Sequence, residues 1–132
     1  MTFFEFQQMQ VGDAILVRTR KSSKSVLRIN GKRSCFVRAS DGCEYELEEC
    51  SPILLSDVQT LERLGFKKQL ELFRSEASYC FGLMEIYSTH VSICIDAQTM
   101  ERKCYAGLIY LHEAQHRYKN IHNCELKLKY DK

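Results

Sequence analysis

Ser25-Val26-Leu27-Arg28-Ile29-Asn30-Gly31, then Ser34-Cys35-Phe36-Val37-Arg38-Ala39, then Asp41-Gly42-Cys43-Glu44-Tyr45-Glu46-Leu47-Glu48 carry the fold. Val26 and Arg28 alternate with Leu27 and Ile29, a period of two that sends successive side chains to opposite faces of a strand. Asn30-Gly31 is a strong two-residue hairpin signal, and Asp41-Gly42 marks a second turn. Cys43, Tyr45 and Leu47 alternate with three glutamates and are expected to face inward. Ala14 to Thr19, rich in β-formers, adds a strand before this block. Four or five short strands joined by tight turns over about 45 residues predict a small SH3-like or OB-like β-barrel.

Outward from this block, Pro52 is the only proline and marks a boundary. Ser56 suits a helix N-cap, with Asp57 in the first turn where the helix dipole favours an acid. Val58, Leu61 and Leu64 have helical spacing, and Gly65 stands where a C-cap glycine belongs. The remainder reads as strands over Lys67–Phe73, Ala77–Tyr87 and His90–Ile95, a turn at Asp96–Thr99, and a return strand over Glu101–Tyr105. Gly107–Ile121 is the most helical stretch, and Leu126 and Leu128, alternating with lysines, predict a short final strand. The fold class expected is α+β. It has an N-terminal SH3-like small β-barrel lobe (residues 1–53), a connector helix (54–66), and an antiparallel sheet packed by one long helix (67–132).

Composition narrows the function classes. A hydrophobic fraction of 45% suits a folded globule. No apolar run approaches the roughly 20 residues that span a bilayer, so no membrane partner is expected. The opening residues lack the pattern of a secretory leader. Seven cysteines, with no C-x-x-C pair, point to reduced, mostly buried thiols in a cytoplasmic protein. A net charge of +2 implies no polyanionic partner for the chain as a whole.

His112-Glu113-Ala114-Gln115-His116 matches H-E-x-x-H, and His122 stands ten positions after His112. In a zinc peptidase the two histidines at i and i+4 share a helix face and hold the metal, and Glu113 would activate the bound water. A third ligand at i+10 needs the helix to stop first, normally at a glycine, and Lys119 occupies that place. On an unbroken helix His122 lies roughly 80° from His112 and about 120° from His116. The wheel gathers Leu111, Ala114, Tyr118 and Ile121 on the core face and leaves the histidines facing solvent. No cofactor is therefore expected, with zinc on His112, His116 and His122 and catalysis by Glu113 as the alternative.

Tyr110-Leu111-His112-Glu113-Ala114-Gln115, then Tyr118 and Glu125-Leu126, resembles the C-terminal helix of a set of small proteins of Bacteroidetes genomes, prophages and phages. Val11-Gly12-Asp13, Ser51-Pro52-Ile53-Leu54-Leu55-Ser56 and Leu61-Glu62-Arg63-Leu64-Gly65-Phe66 are similar to three further segments of that family, so the resemblance spans Val11 to Lys129. It implies no reaction. It implies asparagine and threonine at the positions of His116 and His122, and a glycine helix stop at Asn123. Asparagine tolerates that left-handed stop. His112 and Gln115 match the family, which points to a structural or partner-binding role for them.

From Arg18 to Arg38 there are eight basic residues and no acid. Arg18, Arg20, Lys21, Lys24, Arg28 and Arg33 are the candidate nucleic-acid surface, with Phe36 and Tyr45 as stacking partners. The competing reading pairs these bases across strands with Glu44, Glu46 and Glu48. The three cysteines Cys35, Cys43 and Cys50 have no zinc-module spacing. The expectation is a non-enzymatic binding or adaptor protein, in phage or mobile-element biology, whose partner is a protein or a nucleic acid. A zinc metallopeptidase and a structural virion or assembly component are the alternatives.

Overall fold

The computed structural model describes residues 1–18, 24–70 and 77–131, and the chain divides into two compact units, Met1–Ile53 with Lys129–Lys132, and Leu54–Leu128. The first unit begins with a helix, α1 (Phe3–Gln8), that lies outside the sequence reading. Its signal is nevertheless local. The Glu5 amide donates to Thr2 Oγ1 at 3.1 Å and the Thr2 amide to Glu5 Oε1 at 2.8 Å, a reciprocal capping box. Five antiparallel strands follow: β1 (Ala14–Arg18), β2 (Lys24–Arg33), β3 (Phe36–Ala39), β4 (Glu44–Glu46) and β5 (Cys50–Ser51). A single 3-10 turn over Leu47–Glu49 joins the last two.

The order β4-β3-β2-β1-β5 makes an open sheet, so the expected closed barrel is not formed. The reason lies in the edges. β4 has three residues and β5 two, and the 3-10 turn holds them apart where a closing ladder would run. Asn30-Gly31 is also not the hairpin turn. β2 runs through it with a register slip between Ile29 and Gly31, and the turn falls at Ser34-Cys35, closed by the Arg33–Phe36 pair. That extension lets Lys32 donate to the Met9 carbonyl at 2.7 Å, at the C-terminal end of α1, and place its ammonium 4.4 Å from the Phe6 ring centre. The Asp41-Gly42 turn forms as expected, with Gly42 at φ +86°. Cys43 points outward, against expectation, while Tyr45 and Leu47 pack on the core.

That core is Phe6, Met9, Ile15, Val17, Leu27, Ile29, Val37, Ala39 and Cys50. Each fully buried aliphatic side chain contributes about 1.5–3 kcal/mol. The C-terminal tail returns to this unit. Asp131 donates its amide to the Val26 carbonyl at 2.8 Å and accepts the Val26 amide on its carboxylate at 2.8 Å.

The second unit opens with α2 (Val58–Arg63), capped by Asp57 and not Ser56: the Asp57 carboxylate accepts from the Thr60 amide at 3.3 Å. Gly65, at φ +102°, ends it as expected, with Gly65 bonded to the Glu62 carbonyl and Phe66 to the Leu61 carbonyl. A five-stranded antiparallel meander follows, β6 (Lys67–Leu70), β7 (Ala77–Phe81), β8 (Met84–Ile86), β9 (His90–Asp96) and β10 (Glu101–Ala106), in the order β10-β9-β8-β7-β6. Residues 71–73 of the expected Lys67–Phe73 strand lie outside the described residues. The single strand expected over Ala77–Tyr87 is a hairpin. Gly82 at φ +56° turns the chain between Phe81 and Met84.

Helix α3 (Leu111–His122) packs against β9 and stops at Asn123, which takes the left-handed conformation at φ +54°. It begins four residues after the expected Gly107. The expected final strand is absent: Leu126 and Leu128 are buried, but the Leu128 amide bonds back to the Leu126 carbonyl at 3.0 Å instead of joining a sheet. The unit's buried side chains include Leu61, Leu64, Met84, Ile93 and Leu111. No helix of the described residues is long and apolar enough to cross a membrane.

Candidate functional site

The histidine-bearing helix face does not look into water. His112 is 2% exposed, Gln115 is buried, and His116 and His122 are half-buried. Leu111, His112, Ala114 and Gln115 together close an arc of about 160°, wider than the stripe expected, because the first turn of α3 buries its second residue as well. Tyr110 stacks on His112 with ring centres 5.4 Å apart, and His116 tilts against His112 at 5.7 Å. The His122 Nε2 is 2.8 Å from the Cys94 carbonyl oxygen.

Glu113 is the third residue of the helix, and its Oε1 accepts the amides of Tyr110 at 3.0 Å and Ile109 at 3.1 Å. A carboxylate in the first turn ties down two otherwise idle donors and meets the positive end of the helix dipole. The three histidines and Glu113 are thus distributed among a ring stack, a helix cap and a carbonyl contact. Among the described residues no group of three or more His, Cys, Asp or Glu side chains comes together to hold a metal ion.

The basic residues are not gathered either. Arg18 and Lys24 pair across β1 and β2 and share a 240 Å³ pocket with Glu48 and Glu49, which offset their charge. Arg28 donates to the Asn30 side chain and Arg33 lies at the far end of β2. At about 3.3 Å per residue, β2 separates Lys24 from Arg33 by roughly 30 Å. Arg20 and Lys21 lie outside the described residues. Arg38 meets its register partner Glu44 at 3.7 Å, the cross-strand pairing that competes with the nucleic-acid reading. The Tyr45 hydroxyl is bonded to Asp41, and this raises its pKa.

The second unit holds a cleft of about 470 Å³ at one end of its sheet. One cross-strand row, Tyr79–Ile86–Val91–Tyr105, contributes to its lining, because register pairs these four residues side by side on one face of β7, β8, β9 and β10. Leu54, Leu55, Val58, Leu108 and Ile109 complete the apolar lining. The two lining segments are tied together: Leu54 bridges Tyr110, and the Leu55 amide donates to the Ile109 carbonyl at 2.9 Å. Three of the large hydrophobic side chains that stay exposed, Leu54 (45%), Val58 (37%) and Ile109 (59%), line this one opening, which makes it the apolar focus of the unit.

The lining contains no Lys, Arg, Asp or Glu. Its polar groups are the hydroxyls of Ser56, Ser88, Thr89, Tyr79, Tyr87 and Tyr105, and the His90 ring. The turn between β8 and β9 is braced for this role. Tyr87 stacks on His90 at 4.6 Å with an interplanar angle of 12°, the Tyr87 amide donates to the His90 carbonyl at 2.9 Å, and Thr89 Oγ1 lies 2.9 Å from His90 Nδ1. A smaller cleft shares Tyr87 and His90. There Glu85 and Arg102 form an ion pair at 2.7 Å, Arg102 also donates to Ser92 Oγ at 3.2 Å, and the Tyr87 hydroxyl donates to Glu85.

In the sequence, Tyr79 and Tyr87 fall in the strand expected over Ala77–Tyr87, and Tyr105 in the one expected over Glu101–Tyr105. Their common row appears only once the strand register is known, and the hairpin at Gly82 that sets the register was read as continuous strand. No family model, no curated protein and no solved structure matches the chain.

Proposed function

We propose that this chain is a non-enzymatic binding module, and that its ligand site is the aromatic cleft of the second unit. The observation that carries the reading is the cleft's lining: about 470 Å³ of mostly apolar and aromatic surface, with hydroxyl groups and an imidazole among it and no Lys, Arg, Asp or Glu. Such a site takes an uncharged, largely apolar group, the side chains of a partner protein being the fit preferred here. A carboxylate or phosphate inside the cleft would be desolvated with no Lys or Arg in the lining itself to compensate. The resemblance in the C-terminal helix supports a setting in phage or mobile-element biology, and an odd number of cysteines with no C-x-x-C pair supports a reducing, cytoplasmic one. The order of the first unit, a four-strand meander, a 3-10 turn and a fifth strand returning to β1, supports an SH3-like connectivity on an open sheet.

The chain has no tryptophan, so an indole ligand reports its own burial without background. Titrating neutral N-acetyltryptophanamide with the protein is expected to give a saturable blue shift in emission, lost in Ile109→Glu. An unshifted spectrum, or a shift that Ile109→Glu leaves intact, overturns the reading.

A further inference from the structure

We infer that the partner enters as an extended peptide that adds a strand to the free edge of β10 and seats an apolar side chain beside Tyr105, a residue lining the cleft. The inference rests on the cleft reading above and names its ligand. β10 ends the sheet, pairs with β9 alone among the described residues, and five of its six residues are exposed. Its outer edge therefore presents backbone donors and acceptors for a ladder, with side-chain pockets to set specificity. Two features bound the usable length. The register slip between Glu101 and Arg102 blunts one end, and Gly107 at φ +81° bends the chain away at the other.

Charge selects the occupant. Lys103 and Tyr105 lie on one face of β10, opposite Ile93 and Val91, and the Arg117 guanidinium sits 5.1 Å from the Tyr105 ring centre. Among the described residues neither Lys103 nor Arg117 forms an ion pair, whereas Arg102, on the other face, is neutralised by Glu85. This cleft-side edge is thus cationic beside an aromatic ring. It favours a strand carrying an acid. In the antiparallel sense an apolar residue opposite Tyr105 is followed, two positions later, by an acid opposite Lys103.

The test uses the full chain and the blocked peptide Thr-Val-Thr-Phe-Thr-Glu-Thr-Ser, with a second peptide carrying Lys for Glu. Saturable binding of the first is expected, with slowed hydrogen exchange at alternate amides of residues 102–106. Lys103→Glu combined with Arg117→Glu is expected to weaken it about tenfold and to favour the lysine peptide instead. Shifts confined to cleft residues, with no new protection in β10, would overturn strand addition and leave the cleft reading standing. Affinity unchanged by the charge reversal would overturn the choice of an acidic partner. Protection of β10 that grows with protein concentration in the absence of peptide would assign the edge to a second copy and overturn the inference. Failure of both the peptide and N-acetyltryptophanamide would remove the cleft reading together with it.

Discussion

Single side chains carry the sharpest consequences. The seven cysteines are not mostly buried as expected: Cys35, Cys43, Cys104 and Cys124 are exposed, Cys80 is intermediate, and Cys50 and Cys94 are buried. A thiol reagent added to native protein is expected to label the four exposed groups quickly, Cys80 more slowly, and the last two only on unfolding. Burial pushes the Cys50 thiol up from 9.0 to about 11. The folded state holds that proton more tightly than the unfolded chain, so the contribution is complete below pH 9 and disappears as pH rises to about 11. Denaturant midpoints across that window are expected to report a loss of about 2 kcal/mol that Cys50→Ala abolishes. Glu113 makes a different case. Its motif suggested chemistry, yet its carboxylate is bonded to two amides at the start of α3. Glu113→Ala is expected to lower stability by about 1 kcal/mol in thermal melts, and Glu113→Gln, which keeps the acceptor, by less.

At the level of elements, termini and turns decide what forms. Asn123 at φ +54° ends α3 in a conformation that only glycine and asparagine adopt at low cost. Asn123→Gly is expected to leave the melting temperature nearly unchanged, while Asn123→Val costs about 1–2 kcal/mol. A calorimetric comparison of the two variants checks this. The helix, the β9–β10 hairpin and the Gly65 cap were legible because each depends on nearby residues: a 3.6-residue period, a turn opened by Asp96, a left-handed glycine; the stop at Asn123 came from the resemblance. The failures share one cause, tertiary preference over local propensity. Asn30-Gly31 carries a stronger turn signal than Ser34-Cys35, but Lys32 gains a carbonyl and an aromatic face on α1 only if β2 continues past it. His112 falls on what the helical wheel marks as the solvent side, yet the first turn of α3 buries it. The cleft was not legible, since the row Tyr79–Ile86–Val91–Tyr105 is a property of register and register depends on hairpins.

For the molecule as a whole, the path of the chain matters more than any one element. The first unit is built from Met1–Ile53 and completed by Lys129–Lys132, so the second unit is inserted within it. Completion runs through Val26, whose amide and carbonyl are both bonded to Asp131, and through the Tyr130 hydroxyl, which donates to the Gly12 carbonyl at 3.4 Å. Val26 is fully buried, so its backbone groups have no water to replace a lost partner. Asp131→Ala removes the carboxylate acceptor and leaves the Val26 amide in apolar surroundings, a loss of about 1–3 kcal/mol. Hydrogen exchange resolves where that loss falls. The Val26 amide is expected to exchange about tenfold faster or more in the variant, and the other amides of β1 and β2 in proportion to their share of the same opening. The amides of α3, bonded within the second unit, are expected to keep their rates if the units open separately. Equal acceleration in α3 would show instead that the tail couples both units into one cooperative transition, and the insertion would then be a feature of connectivity alone.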